Sequence, residues 1–310
     1  MKVIPIIIIL PILLFIHNLN RMISNIKVCV CTCGKNENKY VREFVEYYKK
    51  YNVDKIFIYD NNEENGEKFE SVISDYIDKG FVSIINYRGK LKIQMEVFNH
   101  CYNENKKKYN WFIYYDMDEF IHLEGYNNIK VFLSKSNFYK CNIIYLNHII
   151  HTDNNNIYYQ NKSLVKRFPK IENFKNINMS YQPRTILLDL TKIIIKGNLT
   201  DFKFGSPHFI NNVNNTCNGF GKKIKHIENI HLEKPDHKKF YFDHYYFKSC
   251  EEYLDKLTKG SVFYGKKRGF DIYWFKIYFS INDITKEKLD YFEYKTGTNL
   301  SMFRSKINKL

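Results

Sequence analysis

The sequence predicts an α/β protein built on a mostly parallel, doubly wound sheet with helices on both faces. Two observations carry that expectation. Short apolar runs alternate with segments of helical periodicity over the N-terminal part of the chain, and each apolar run ends in a polar or acidic turn. A third observation points to chemistry: an acidic cluster, Asp116-Met117-Asp118-Glu119, stands directly after one of those runs. In such sheets ligands collect at the carboxyl ends of the strands.

The elements follow in order. Ile26 to Thr32 is a continuous apolar run suited to a strand buried on both faces, closed by the Gly34-Lys35-Asn36-Glu37 turn. Val41, Phe44, Val45 and Tyr48 recur at helical spacing between Tyr40 and Tyr51. Lys55 to Tyr59 is a second strand ending in Asp60-Asn61-Asn62; a helix from Phe69 to Asp78 stops at Gly80, and Phe81 to Ile85 is a third strand. Ile93 to Lys106 reads as helix, and Trp111 to Tyr115 as a fourth strand. Farther on, Cys141–Ile150 and Ile186–Ile195 read as strands. Lys248–Lys259 reads as a helix with Glu251, Glu252 and Lys256 on its wet side. No repeat or linker divides the chain, so residues 26–310 are expected to form one domain.

Composition sets bounds. At 310 residues with 44% hydrophobic content the chain can bury a sizeable core, which argues against disorder. The net charge of +15 favours something anionic: nucleic acid, a membrane surface or a phosphorylated substrate. No zinc-finger or RNA-recognition signature accompanies the lysines, so nucleic acid is not the expected partner. Cys29, Cys31 and Cys33 alternate along one strand and share a face, where thiols pack as small apolar groups. Residues 1–25 differ in kind. Val3 to Ile16 is almost wholly apolar, broken by Pro5 and Pro11 and flanked by Lys2, Arg21 and Lys27. It reads as a signal-anchor-like segment, which predicts membrane association with the side left open and little stem before the first strand.

Two carboxylates one residue apart beyond a strand end can reach a hard divalent cation and a diphosphate together, and Asp116 and Asp118 have that spacing. Their position between the Trp111-Phe112-Ile113-Tyr114-Tyr115 run and Phe120-Ile121 makes the charge costly unless it is used or paired.

Further segments accompany this cluster: Lys35-Asn36-Glu37, Tyr59-Asp60-Asn61-Asn62, Gln94 with Asn99-His100-Cys101, Val165-Lys166-Arg167-Phe168, Pro207-His208-Phe209, and His244-Tyr245-Tyr246-Phe247-Lys248-Ser249 leading into Glu251-Glu252-Tyr253. In this order they resemble glycosyltransferase family 92 and the related family-2-like transferases. The resemblance implies a GT-A fold and transfer of a hexose, galactose-like, from a UDP-sugar to a hydroxyl of a glycan or glycoprotein acceptor. It also implies inversion and dependence on Mn²⁺ or Mg²⁺. By position it implies donor contacts from Thr32, Glu37, Asp60, Gln94, Asp116, Arg167 and Lys248, and metal contacts from Asp116, Asp118 and His244, with Asp118 the direct ligand. An inverting transferase needs a general base; Asp153 is the first candidate and Asp236 the second. Three alternatives remain: a nucleotidyltransferase, a basic nucleic-acid- or membrane-surface-binding protein without catalysis, and an inactive transferase-like scaffold. The first would usually carry a Gly-rich basic loop after its first strand, where this chain has one glycine and an acid.

Overall fold

The structure, a computed structural model, describes residues 17–18, 21–171, 190–200, 202–210, 212–224, 236–262, 265 and 267–307. The expected apolar segment 3–16 and the first part of the expected strand at Ile186 lie outside the described residues.

The N-terminal half is the alternating α/β unit the sequence predicts. Strands β1 (Val28–Gly34), β2 (Lys55–Asp60), β3 (Val82–Asn86) and β4 (Trp111–Tyr114) alternate with helices α1 (Asn38–Lys50), α2 (Glu70–Asp78) and α3 (Gln94–Asn105). β1 pairs in parallel with β2 on one side and β4 on the other, so every residue of its Val-Cys-Val-Cys-Thr-Cys-Gly run is buried. Alternation sends Val28 and Val30 into the core beneath α1 and α2. It sends Cys29, Cys31 and Cys33 into the opposite core with Val97, Phe98 and Cys101 of α3.

The second half is mixed. The strands are β5 (Glu119–Leu123), β6 (Ile143–Ile150), β7 (Thr191–Lys196), β8 (Thr216–Asn218) and β9 (Phe240–His244). Helices α4 (Ile129–Leu133) and α5 (Leu164–Arg167) lie among them. The sheet order is β3-β2-β1-β4-β7-β6-β9-β5, with β8 on β6. β4–β7, β6–β7 and β5–β9 are antiparallel and the other pairs parallel. Chain length forces this sheet to curl. β4 and β5 stand four strand spacings apart in the order, about 19 Å if flat, yet the link from Tyr114 to Glu119 reaches at most about 18 Å even fully extended. It is not extended, because Glu119 N–H bonds back to Asp116 O at 3.0 Å. Curling brings the ends of β4 and β9 and the starts of β5 and β7 to one place, with the acidic turn among them.

A third cluster is formed by α6 (Cys250–Thr258), α7 (Ile272–Ile281), α8 (Lys286–Thr296) and α9 (Ser301–Ile307), packed through Tyr253, Phe275, Tyr278 and Phe292 against Ile150 and Phe247. Ser249 starts α6 with a reciprocal capping box to Glu252. Cys141 and Cys217 form a disulfide that joins the loop before β6 to β8, a pairing the sequence reading did not include. Cys29, Cys31 and Cys33 are buried free thiols, as expected.

Candidate active site

Asp118 is buried at the start of β5 with its carboxylate among three bases. Oδ2 lies 3.0 Å from Lys248 Nζ and 3.1 Å from Lys256 Nζ, and Oδ1 is 3.7 Å from His244 Nε2. Burial alone would raise its pKa; Lys248, Lys256 and His244 outweigh that and hold it well below the usual carboxylate range. Burial works against the Lys248 ammonium too, and Asp118 more than compensates, leaving its pKa raised. Lys256 is pushed down to about 8 by burial, with Asp118 opposing. Its ammonium also sits 3.7 Å over the Tyr246 ring. Lys248 reaches its place from a left-handed backbone, φ 57°, a conformation that costs a non-glycine residue of order 1 kcal/mol or more and concentrates at functional sites.

Asp116 and Glu119 form a second pair of acids around one lysine. Lys192, at the start of β7, lies 2.7 Å from Asp116 Oδ2 and 3.0 Å from Glu119 Oε2, and Gln94 Nε2 donates to Asp116 Oδ1 at 3.2 Å. Glu119 Oε1 is 3.8 Å from His244 Nε2, its cross-strand partner in the β5–β9 ladder. Burial raises the Glu119 pKa to about 8, with Lys192 opposing. His244 is driven the other way by burial, well below its ordinary value, so its imidazole is neutral and Nδ1 meets His148 Nδ1 at 3.2 Å. Met117, between the two aspartates, turns inward against Gly34; a β-carbon at residue 34 would lie 2.8 Å from its Cε.

Lys248 and Lys256 connect this cluster to a cleft of ≈ 570 Å³ between the loop after β1 and α6, which they line with Lys35, Tyr40, Asp255 and Lys259 among others. Glu37, at the N-cap of α1, reaches across it to pair with Lys259. Thr32 is fully buried on β1, and its Oγ1 has no hydrogen-bond partner among the described residues. Asp60, at the end of β2, is matched by Arg88 at 2.7 Å and caps Asn62 N–H at 2.9 Å. His208 stands on Thr191, its Nδ1 2.9 Å from Thr191 O.

The wet-face expectation for α6 is corrected, and three expected site residues are found paired within the protein. The Arg167 guanidinium makes a buried bidentate pair with Glu252, at 2.7 and 2.9 Å. Glu252 and Lys256 are accordingly not on a wet face of α6; one closes this pair and the other faces Asp118. Asp153 is buried between Lys288 and the Tyr278 hydroxyl, and its other oxygen takes Asn155 N–H at 2.9 Å, which commits it to anchoring the C-terminal helices. Asp236 accepts backbone N–H groups of Lys238, Lys239 and Phe240 before β9. It is thus at the opposite end of that strand from His244, roughly 13 Å of strand away. Neither acid lines the cleft between the loop after β1 and α6. Lys192 was missed, although a lysine opening a Thr-Lys-Ile-Ile-Ile-Lys strand is a charge that must find a partner.

Among the described residues no three His, Cys, Asp or Glu side chains form a ready-made metal cage. The donor types still fit a hard cation. Mg²⁺-like ions are commonly held by one or two carboxylates with substrate phosphates and water completing the shell, and Asp118, whose two lysine contacts are both on Oδ2, keeps Oδ1 toward the His244 ring nitrogen.

Comparison with known proteins bears on this geometry. A glycosyltransferase family 92 protein of Ricinus communis is 34% identical over 97 residues, covering 31% of this chain and 17% of that protein. One of Oryza sativa subsp. japonica is 32% identical over 99 residues, covering 32% and 16%. The matched stretch is thus about a sixth of the length of these relatives. Among solved structures, S. aureus TarS superposes with a TM-score of 0.33 at 10% identity, over 55% of this chain and 28% of its own, too distant to bear on the chemistry. The sequence profile of glycosyltransferase family 92 matches residues 24–262, which include every side chain around Asp118. The chain belongs to glycosyltransferase family 92.

Proposed function

We propose that this protein transfers a hexose, galactose-like, from a UDP-sugar to a hydroxyl of a glycan or glycoprotein, with inversion at the anomeric carbon and with Mn²⁺ or Mg²⁺. Family membership supports glycosyl transfer. The observation that carries the site reading is the convergence of Lys248, Lys256 and His244 on Asp118 at the edge of the cleft. Residues 26–310 act as one transferase domain, and residues 1–25 attach it to a membrane.

The departing diphosphate is where negative charge builds as the glycosidic bond breaks. Lys248 and Lys256 hold their ammoniums, donors to phosphate oxygens, in a mostly buried setting where each is worth more than in water. Asp118 and His244 would hold the divalent cation, which when bound supplies Lewis-acid stabilisation of the diphosphate. Lys192 fixes Asp116 and Glu119 from behind, leaving Asp116, the more exposed acid, toward the donor. Thr32, at the carboxyl end of β1, is retained as a nucleotide contact on the family resemblance alone. With Asp153 and Asp236 committed elsewhere, the base role passes to Asp255, a cleft carboxylate whose contact with Lys39 is 3.3 Å and whose side chain is 62% exposed.

The test is a thermal-shift and transfer assay of the full chain against UDP-hexoses, GDP-sugars and free nucleotides, with and without Mn²⁺. A ligand that binds only the folded state raises the melting temperature. The expected result is a Mn²⁺-dependent rise with one UDP-hexose and transfer of that sugar. No rise with any nucleotide would overturn the reading in favour of an inactive scaffold or a basic binding protein.

A further inference from the structure

In the doubly wound half, the edge opposite the cleft gathers the starts of β1, β2 and β4 and the ends of α1, α2 and α3. The curl adds the end of β7 and the starts of β6 and β9. That edge is rich in lysine. Lys50 and Lys79 close α1 and α2, Lys107 and Lys108 follow α3, Lys140 precedes β6 and Lys239 precedes β9; all are exposed. Asp54, the acid set into this edge, is already taken by Lys27 and Lys130, at 3.4 and 2.7 Å. Asp78, Glu104 and Glu124 are exposed acids there, too few to balance the lysines.

Among the lysines lies an apolar groove of ≈ 400 Å³, lined by Met22, Ile26, Trp111, Leu133, Phe138 and Tyr139. Met22 is 57% exposed and Tyr139 59%. The chain enters this same edge from its N-terminus. The apolar run ends at Ile16 and β1 starts at Val28, so the connecting residues hold the edge within at most about 40 Å of that run whatever their conformation.

We propose that this lysine-rich edge, with its apolar groove, docks on an anionic lipid bilayer, so that the cleft at the opposite edge faces away from the membrane. Exposed lysines around an apolar patch are the composition that binds an anionic interface, charge first and apolar contact second. Nucleic acid would also be drawn to the lysines, but it has no use for the exposed apolar side chain of Met22 beside Tyr139 at the mouth of the groove. The proposal extends the membrane reading of residues 1–25 and rests on no part of the donor-site reading.

Flotation of the full chain with phosphatidylcholine vesicles, and with vesicles containing phosphatidylserine, tests it without any sugar donor present. An apolar N-terminal segment acting alone, flanked as it is by Lys2, Arg21 and Lys27, would also favour the anionic vesicles, but its binding would not respond to charge reversal at the edge. Docking of the edge predicts preference for the anionic vesicles that falls with salt. The triple substitution Lys107→Glu, Lys108→Glu, Lys140→Glu should weaken anionic binding on the order of a hundredfold while leaving binding to neutral vesicles unchanged. Lys50→Glu with Lys79→Glu, on two other elements, should act in the same direction. Equal binding to both vesicle types, variants that bind like the parent, or RNA displacing the vesicles at matched phosphate concentration would each overturn the proposal.

Discussion

Replacing Arg167 by Met separates a ligand contact from a structural ion pair. Its guanidinium is almost fully buried and spends two donors on Glu252, which also accepts from Tyr40 OH at 2.6 Å and from Ser249 Oγ at 2.6 Å. Burial alone would raise the Glu252 pKa; Arg167, Ser249 and Tyr40 together bring it down to about 2 from 4.5. That difference corresponds to roughly 3 kcal/mol of stability at neutral pH. Because the folded pKa is the depressed one, this stability is fully present above about 4.5 and is lost as pH falls toward 2. Removing Arg167 strands the carboxylate, and breaking a buried pair costs about 3–5 kcal/mol. At ~2–4 °C per kcal/mol for a chain approaching this size, Arg167→Met should lower the melting temperature by roughly 6–20 °C. The loss should shrink as pH falls below about 4.5, because the parent's folded Glu252 keeps its charge down to about 2 while the unfolded chain already takes up the proton. Scanning calorimetry between pH 3 and 7 reads the first effect and steady-state kinetics the second, with donor KM of the folded fraction expected to stay within about twofold. An unchanged melt with a raised donor KM would refute the structural assignment and return Arg167 to the ligand.

Two further substitutions follow. Asp118→Asn should abolish transfer and also lower the melting temperature by several degrees, because Lys248 and Lys256 lose the charge that faces them at 3.0 and 3.1 Å; an active variant, or one inactive with an unmoved melt, refutes that double role. Asp153→Ala should destabilise through the stranded Lys288 while the folded fraction keeps its kcat; a normal melt with turnover reduced by orders of magnitude would restore Asp153 as the base.

What the sequence revealed and concealed divides by distance along the chain. The order of β1, α1, β2, α2, β3, α3 and β4 was legible because each element carries its own periodicity and each turn its own breaker. The acidic turn was legible because charge beside an apolar strand is locally anomalous. The roles of Arg167, Asp153 and Lys192 were not, because each depends on a partner remote in sequence: Glu252, Lys288 and Asp116. The Cys141–Cys217 bond has the same character, its halves 76 residues apart with no local signal to pair them. Lys256 was misplaced for a related reason. Helical periodicity says which residues share a face but not what covers it, and here a carboxylate from β5 meets the charged stripe of α6.

Charge balance at the site gives an electrostatic ground for the proposed cation. Near neutral pH, Glu119, raised by burial to about 8, is mostly protonated, and Lys256, lowered by burial to about 8, is mostly charged. Three ammoniums, on Lys192, Lys248 and Lys256, then face two carboxylates, on Asp116 and Asp118, with His244 neutral. The surplus is about one positive charge, less than the roughly two negative charges of a nucleotide-sugar diphosphate. The lysines are held by the acids rather than left free for phosphate, so the donor alone would leave the buried site net negative, which is costly at low dielectric. A divalent cation arriving with the proposed donor would restore the surplus and would leave Lys248 and Lys256 their contacts with Asp118. On this account the carboxylates organise the lysines whether or not a metal joins them, and loss of Lys248 or Lys256 should weaken donor binding even at saturating Mn²⁺.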